Sequence, residues 1–224
     1  MTLRMLAIAS LAALATLPGA ANAQRTGKGR TRTTPCRVDS SARWYVKQRE
    51  WLDDAHRTWS DDTLRRKLLR SVGLDAEHAA LAPQVGWSAM DAPRSEGDSA
   101  MIAQLRATAG TRGSTWPTRT VVGAAGVRAV WMLSLRDSAL ARAALKRMME
   151  AGPEESNAAD VAMLEDRVRL SSSRKQIYGT QMRLDEKGTL VLAPMEDSAH
   201  VDLRREDAGL PPFKYSACVA GMVK

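Results

Sequence analysis

The stretch "TRTVVGAAGVRAVWMLSL", Thr118–Leu135, decides how this chain folds. It is apolar over much of its length, and Gly123, Ala124, Ala125, Gly126 and Ala129 keep it slim. Slim helices let their neighbours approach closely, so the spacing predicts a central helix. Working outward, Asp137 is placed to cap a helix over "SALARAALKRMME". Leu140, Ala141, Ala144, Leu145, Met148 and Met149 form its apolar stripe. Gly152-Pro153 breaks that run, and Asn157 can cap "AADVAMLEDRVRL" with Val161, Leu164 and Val168 inward.

Upstream, "VDSSARWYVKQREWLDDAHRTWS" reads as one amphipathic helix. Trp44, Gln48, Trp51, Ala55 and Trp59 recur on its aromatic face, and a Trp stripe at this spacing points to core rather than to a ligand platform. Ser60 then offers an N-cap for a second helix through Leu64, Leu68, Leu69 and Val72, stopped by Gly73. A short helix to Leu81 and a loop punctuated by Pro83, Gly86, Pro93 and Gly97 follow, then a helix over "MIAQLRATAG".

Downstream, "QIYGTQMRL" (Gln176–Leu184) and "TLVLAP" (Thr189–Pro194) flank "DEKG", a hairpin signal. Strand alternation would put Gln176, Tyr178, Thr180, Met182 and Leu184 on one face. Gly179 within it suggests a bulge or a close approach by another group. "DSAHVDLRREDAG" reads as a last short helix and "LPPFKYSACVAGMVK" as an extended tail. The expected fold is mainly α: a helical domain with one C-terminal β-hairpin.

The two ends carry other information. Residues 1–23 combine Arg4, the apolar run "MLAIASLAALATL" and "ANA" at Ala21–Ala23, the pattern of a secretory signal. Its hydrophobic part is too short for a stable membrane span, and no later run is long enough, so no transmembrane segment is expected after cleavage. Residues 24–35 hold Arg25, Lys28, Arg30 and Arg32 and no acid, and read as a basic, disordered linker. The chain has a formal charge of +8, but from Cys36 onward 28 basic residues face 25 acidic ones. Residues 36–224 are therefore a nearly balanced single domain. Cys36 and Cys218 are the two cysteines. An oxidising compartment would let them pair, closing a very long loop for about 4–5 kcal/mol in the chain-entropy model. The spacing alone leaves open whether they come within reach.

Familiar catalytic patterns are missing. The chain has no G-x-x-x-x-G-K-[ST], C-x-x-C, H-E-x-x-H or G-x-S-x-G, and His56, His78 and His200 are scattered. No cofactor or metal is expected on these grounds. Basic–aromatic nucleic-acid modules are absent as well, so no nucleic-acid partner is expected. The segment that draws suspicion is "EDRVRLSSSRKQIYGTQMRL". Asp166, Arg167, Gln176, Tyr178, Thr180 and Gln181 could line a hydrogen-bonding pocket, with Arg119 as a further candidate. The structural alternative is that these groups satisfy one another and the nearby backbone.

Four segments carry a resemblance: "WPTRTVVGAAGVRAVWML" (Trp116–Leu133), "LEDRVRL" (Leu164–Leu170), "QIYGTQ" (Gln176–Gln181) and "VDLRREDAGLPPFKY" (Val201–Tyr215). In order, across about 116–215, they resemble the family catalogued as domain of unknown function number 6624. The resemblance implies the domain type and no activity. Members of that family commonly place a Gln-His pair after the first of these segments, where this chain reads "SLRD" with Arg136. If that histidine were a catalytic base, this member would lack it.

The expected role is a secreted or periplasmic domain that binds an envelope protein or a small polar ligand near the hairpin. One alternative is a hydrolase using Asp166 as acid or base, with Arg167, Gln176 and Gln181 orienting substrate. Another is an envelope-surface binder acting through the basic tail.

Overall fold

A computed structural model of the chain describes residues 36, 41–54, 57–73 and 96–219. The expected signal segment, the basic linker, the short helix to Leu81 with the loop after it as far as residue 95, His56 and His78 lie outside the described residues, whereas Gly97, expected in that loop, lies in a helix that starts at Glu96, earlier than the expected Met101. What is described belongs to one unit, Thr34–Lys224. Its helices are α1 (Arg43–Leu52), α2 (Asp62–Ser71), α3 (Glu96–Gly110), α4 (Arg119–Ser134), α5 (Ser138–Ala151) and α6 (Ala158–Ser171). A hairpin of β1 (Met182–Leu184) and β2 (Leu190–Leu192) follows, then a 3-10 turn at Ser198–His200, α7 (Val201–Asp207) and α8 (Phe213–Val219). The fold is mainly helical, with a single two-stranded antiparallel hairpin among the described residues. No described helix is long and apolar enough to cross a membrane.

The helix over Arg119–Ser134 is central, as its composition predicts. Val122, Val127, Val130, Trp131 and Leu133 are buried along it, against Leu68 and Leu69 of α2, Leu105 of α3, Leu140 and Met148 of α5 and Leu164 of α6. Each such aliphatic side chain contributes about 1.5–3 kcal/mol by leaving water. Slimness is not the whole role of its glycines. Gly123 leaves helical geometry (φ 72°, ψ 168°), so the first turn and the rest of α4 meet at a kink. A Cβ there would sit 3.0 Å from Asp54 Oδ2 and 3.2 Å from the Trp59 ring. The Asp54 carboxylate accepts from the Ala124 amide and so caps the helix that restarts beyond the kink.

That same carboxylate explains why the long Trp-rich helix is shorter than its periodicity suggests. α1 stops at Leu52, and Asp53 leaves helical geometry (φ −73°, ψ 97°). Asp54 is then free to reach α4, and Trp59 belongs to the connection, where its Nε1 donates to Asp62 Oδ1 at 3.0 Å. No residue of α1 is fully buried. Trp51 lies at the rim of the core and donates Nε1 to the Pro153 carbonyl, while Trp44 lies against Tyr215, with ring centroids 5.5 Å apart.

Helix starts follow cap chemistry. Asp137 accepts from the Leu140 amide at 2.6 Å, and Asn157 from Ala159 and Asp160 at 2.9 and 3.2 Å, as their positions predict. At α2 the cap is Asp61, one residue beyond the expected Ser60, accepting from Leu64 at 2.8 Å. The stripe of α5 buries Leu140, Ala141, Ala144 and Met148, whereas Met149 is 58% exposed.

The C-terminal region departs furthest from expectation. The hairpin exists, with Met182 opposite Leu192 and Leu184 opposite Leu190, and Asp185 closes its turn by accepting from Lys187 and Thr189. Strand geometry does not extend back through Gln176–Gln181, so the predicted alternation of faces does not apply there. That segment is a loop tethered by one parallel bridge, Gln176 to Met195. The expected extended tail is α8, whose start is held by Asp202 Oδ1 accepting from the Phe213 amide at 2.6 Å. Cys218 on α8 is bonded to Cys36, with Cα atoms 6.0 Å apart.

Candidate functional site

The signature loop Gln176–Gln181 pairs its two end residues with the segment after β2, but Ile177–Thr180 between them has no strand beside it, so its backbone groups need other partners. Asp166 of α6 supplies the acceptors. Its Oδ1 accepts from the amides of Ile177 at 2.7 Å and Tyr178 at 3.0 Å. Its Oδ2 accepts from the Thr180 amide at 3.0 Å and the Thr180 hydroxyl at 2.8 Å. The carboxylate is fully buried, and these four donors fill it.

Gln176, also fully buried, ties the loop to itself and to the hairpin. Its Oε1 accepts from the Gln181 amide at 2.8 Å, and its Nε2 donates to the Gln181 carbonyl at 3.0 Å and the Ala193 carbonyl at 2.8 Å. The carbonyl side of the loop is met by α7. Arg204 Nε donates to Ile177 at 2.9 Å, and Arg205 donates to Tyr178 at 2.7 Å and Gly179 at 3.4 Å. Arg205 also donates to the Pro211 carbonyl and the Ser216 hydroxyl. Burial lowers its pKa to about 10, against the pull of Asp202 and Asp166, so it stays charged at neutral pH.

The loop is thus gripped from both sides, by Asp166 on its N–H groups and by Arg204 and Arg205 on its C=O groups. Neither arginine is among the residues that spacing singled out; the signal for them is the Arg-Arg pair inside "VDLRREDAG". Gly179 marks the expected close approach. Its φ is +66°, and a Cβ would meet Met195 Sδ at 3.0 Å and the Phe213 ring at 3.3 Å. Tyr178 is half-buried against Ala159, Ala162 and Leu210. Burial, then Glu165 and Asp166, push its phenol pKa up, so it remains neutral.

Arg119 belongs to a different network. It is 5% exposed, donates to Asp54 Oδ1 at 3.2 Å and to the carbonyls of Glu50 and Asp53, and lies 5.1 Å from the Trp51 ring. It fastens the end of α1 to the start of α4. Arg136 forms a buried ion pair with Asp98 of α3.

Arg167 and Gln181 remain. Both line an open cleft of about 400 Å³ between α5, α6 and the hairpin, together with Ser138, Ser171, Met182 and Arg183. Arg167 donates to the Leu135 carbonyl, and Gln181 Nε2 donates to Met163 O at 3.3 Å and Thr180 Oγ1 at 3.1 Å. The lining carries two guanidinium groups, an amide and two hydroxyls over apolar Ala141, Val168 and Ala193, with no carboxylate. It can donate hydrogen bonds and hold negative charge. Among the described residues no group of three or more His, Cys, Asp or Glu side chains is placed to hold a metal.

Neither the curated proteins nor the solved structures compared with the chain include a match. A family model does match, over residues 48–219, and so takes in α4, the gripped loop and every residue that lines the cleft. This chain belongs to the family of unknown function DUF6624.

Proposed function

We propose that this chain is an exported binding domain, secreted or periplasmic, that holds a small polar ligand in the cleft beside the hairpin. The observation that carries this reading is a division of labour among the signature residues. Asp166, Gln176 and Thr180 are spent on building the loop, while their neighbours Arg167 and Gln181 line the cleft. A rigid loop supporting a few polar groups at a partly apolar cleft is the usual composition of a ligand site.

Export is supported by the basic-apolar-small pattern of residues 1–23 and by the Cys36–Cys218 bond, which an oxidising compartment maintains. The hydrolase reading fits less well. General acid–base work needs a carboxylate that reaches the substrate, and Asp166 is enclosed with four donors on it.

The test is native mass spectrometry of the protein purified from its own envelope fraction, beside Ser138→Phe, which fills the cleft from the first turn of α5. Wild type is expected to carry a small molecule that the variant lacks. A bare wild-type mass, or the same adduct on both proteins, would end the proposal.

A further inference from the structure

Arginines drawn into this body are mostly answered by the protein itself. Arg119, Arg128 and Arg136 meet Asp54, Asp160 and Asp98. Arg169 and Arg204 meet Glu196 and Asp197. Arg205 has carbonyls and a hydroxyl across its fork, and Arg65 lies 4.4 Å over the Trp59 ring. Arg167 departs from this pattern. It is half-buried, and burial pushes its guanidinium below the ordinary value. Its hydrogen-bond partner is a single carbonyl, that of Leu135, and among the described residues no carboxylate lies within ion-pair reach. A guanidinium has five N–H donors, so one carbonyl leaves Arg167 with donors to offer at the cleft that it lines.

Arg183, on β1 at the same cleft, forms no ion pair among the described residues either. A second basic cleft, of about 380 Å³ between α3 and α5, makes the contrast plain. There Lys146 and Arg147 are met by Glu150 and Arg106 by Asp137, and of its cations Arg112 alone forms no ion pair among the described residues.

We infer that the cleft beside the hairpin takes a small organic anion, its carboxylate or phosphate held by Arg167 with Arg183 adding charge, and its apolar stem against Ala141, Val168 and Ala193. This rests on the binding role proposed above and adds the ligand class to it. A bidentate guanidinium–anion contact in a half-desolvated cleft gains more than the same contact in open water.

Isothermal titration calorimetry of the full, disulfide-bonded chain tests this with four probes sharing one stem: hexanoate, hexyl phosphate, hexanol and hexylammonium. At least one anion should bind about tenfold or more tighter than the alcohol, with an affinity that falls as salt rises. The tighter of the two anions identifies the head group. Arg167→Met should abolish the preference for the anion, Arg167→Lys should keep part of it, and Arg183→Gln should weaken it, with circular dichroism unchanged. Should Arg167→Met fail to fold, Arg183→Gln and the salt dependence decide. Hexanol binding as tightly as both anions overturns the anionic assignment and leaves the binding role standing. No heat from any probe overturns both.

Discussion

The surroundings of α4 and the loop after α6 solve the same problem in opposite ways. Around α4, buried charge is met by charge: Arg119, Arg128 and Arg136 pair with Asp54, Asp160 and Asp98, which come from the segment after α1, from α6 and from α3. In the loop, charge is met by backbone: Asp166 takes amides, while Arg204 and Arg205 take carbonyls. The helices around α4 satisfy most of their own backbone, the Ala124 amide at the kink and the last carbonyls of the α1 segment excepted, so their ion pairs chiefly fix how one element sits on another. Gln176–Gln181 has no such internal ladder, and side chains stand in for the missing neighbour. Replacing an ion pair with packed apolar residues can therefore be nearly neutral, whereas removing a loop ligand strands several peptide groups at once.

The largest test of that contrast is Asp166→Asn, which replaces one acceptor oxygen with an NH2 group and so turns a donor toward donors. It should cost about 3–5 kcal/mol in urea unfolding. A loss under about 1 kcal/mol would mean that the loop does not need the carboxylate. Next come the two special glycines. Gly123→Ala should cost about 2–3 kcal/mol, because both φ and the Asp54 carboxylate oppose a Cβ. Gly179→Ala should cost less, about 1–2 kcal/mol, since the flexible end of Met195 can yield. Equal costs would remove the distinction between the two regions.

A third test uses pH. Burial raises Asp160 to about 6, with Arg128 pulling the other way, from an ordinary 3.8. The folded state then holds this proton more tightly than the unfolded chain. Its contribution is present below about pH 4 and is lost as pH rises through about 6. Asp160→Asn should flatten that part of the stability–pH curve; an unchanged slope would count against the buried pair as the source. The smallest effect is expected from Arg128→Met with Asp160→Leu together, within about 1 kcal/mol of wild type, while either change alone costs about 3–5 kcal/mol. A large cost for the double variant would erase the contrast with the loop.

These two regions also differ in how far the sequence foretells them. The position of α4, the caps Asp137 and Asn157 and the hairpin turn are local, and residue type and spacing carry them. The end of α1 is not local: Asp53-Asp54 looks like one more helical turn until Arg119 and Ala124, far along the chain, claim Asp54. The loop misreads as strand for the same reason. Its residue types suit a strand, but its partners are Asp166, Arg204 and Arg205, on helices before and after it, and no periodicity within the loop encodes them. The polar crowding there correctly marked a hydrogen-bonded cluster. Spacing could not separate Asp166 and Gln176, which face inward, from Arg167 and Gln181, which reach the cleft.

The bond between Cys36 and Cys218 joins points 182 residues apart and so makes nearly the whole described body a covalent ring. A single proteolytic nick inside the ring would open it without releasing a fragment. Tension applied through the two chain ends would cross two sulfur atoms and bypass the helices, so a protein tethered by its N-terminal extension could be pulled without its body being unravelled.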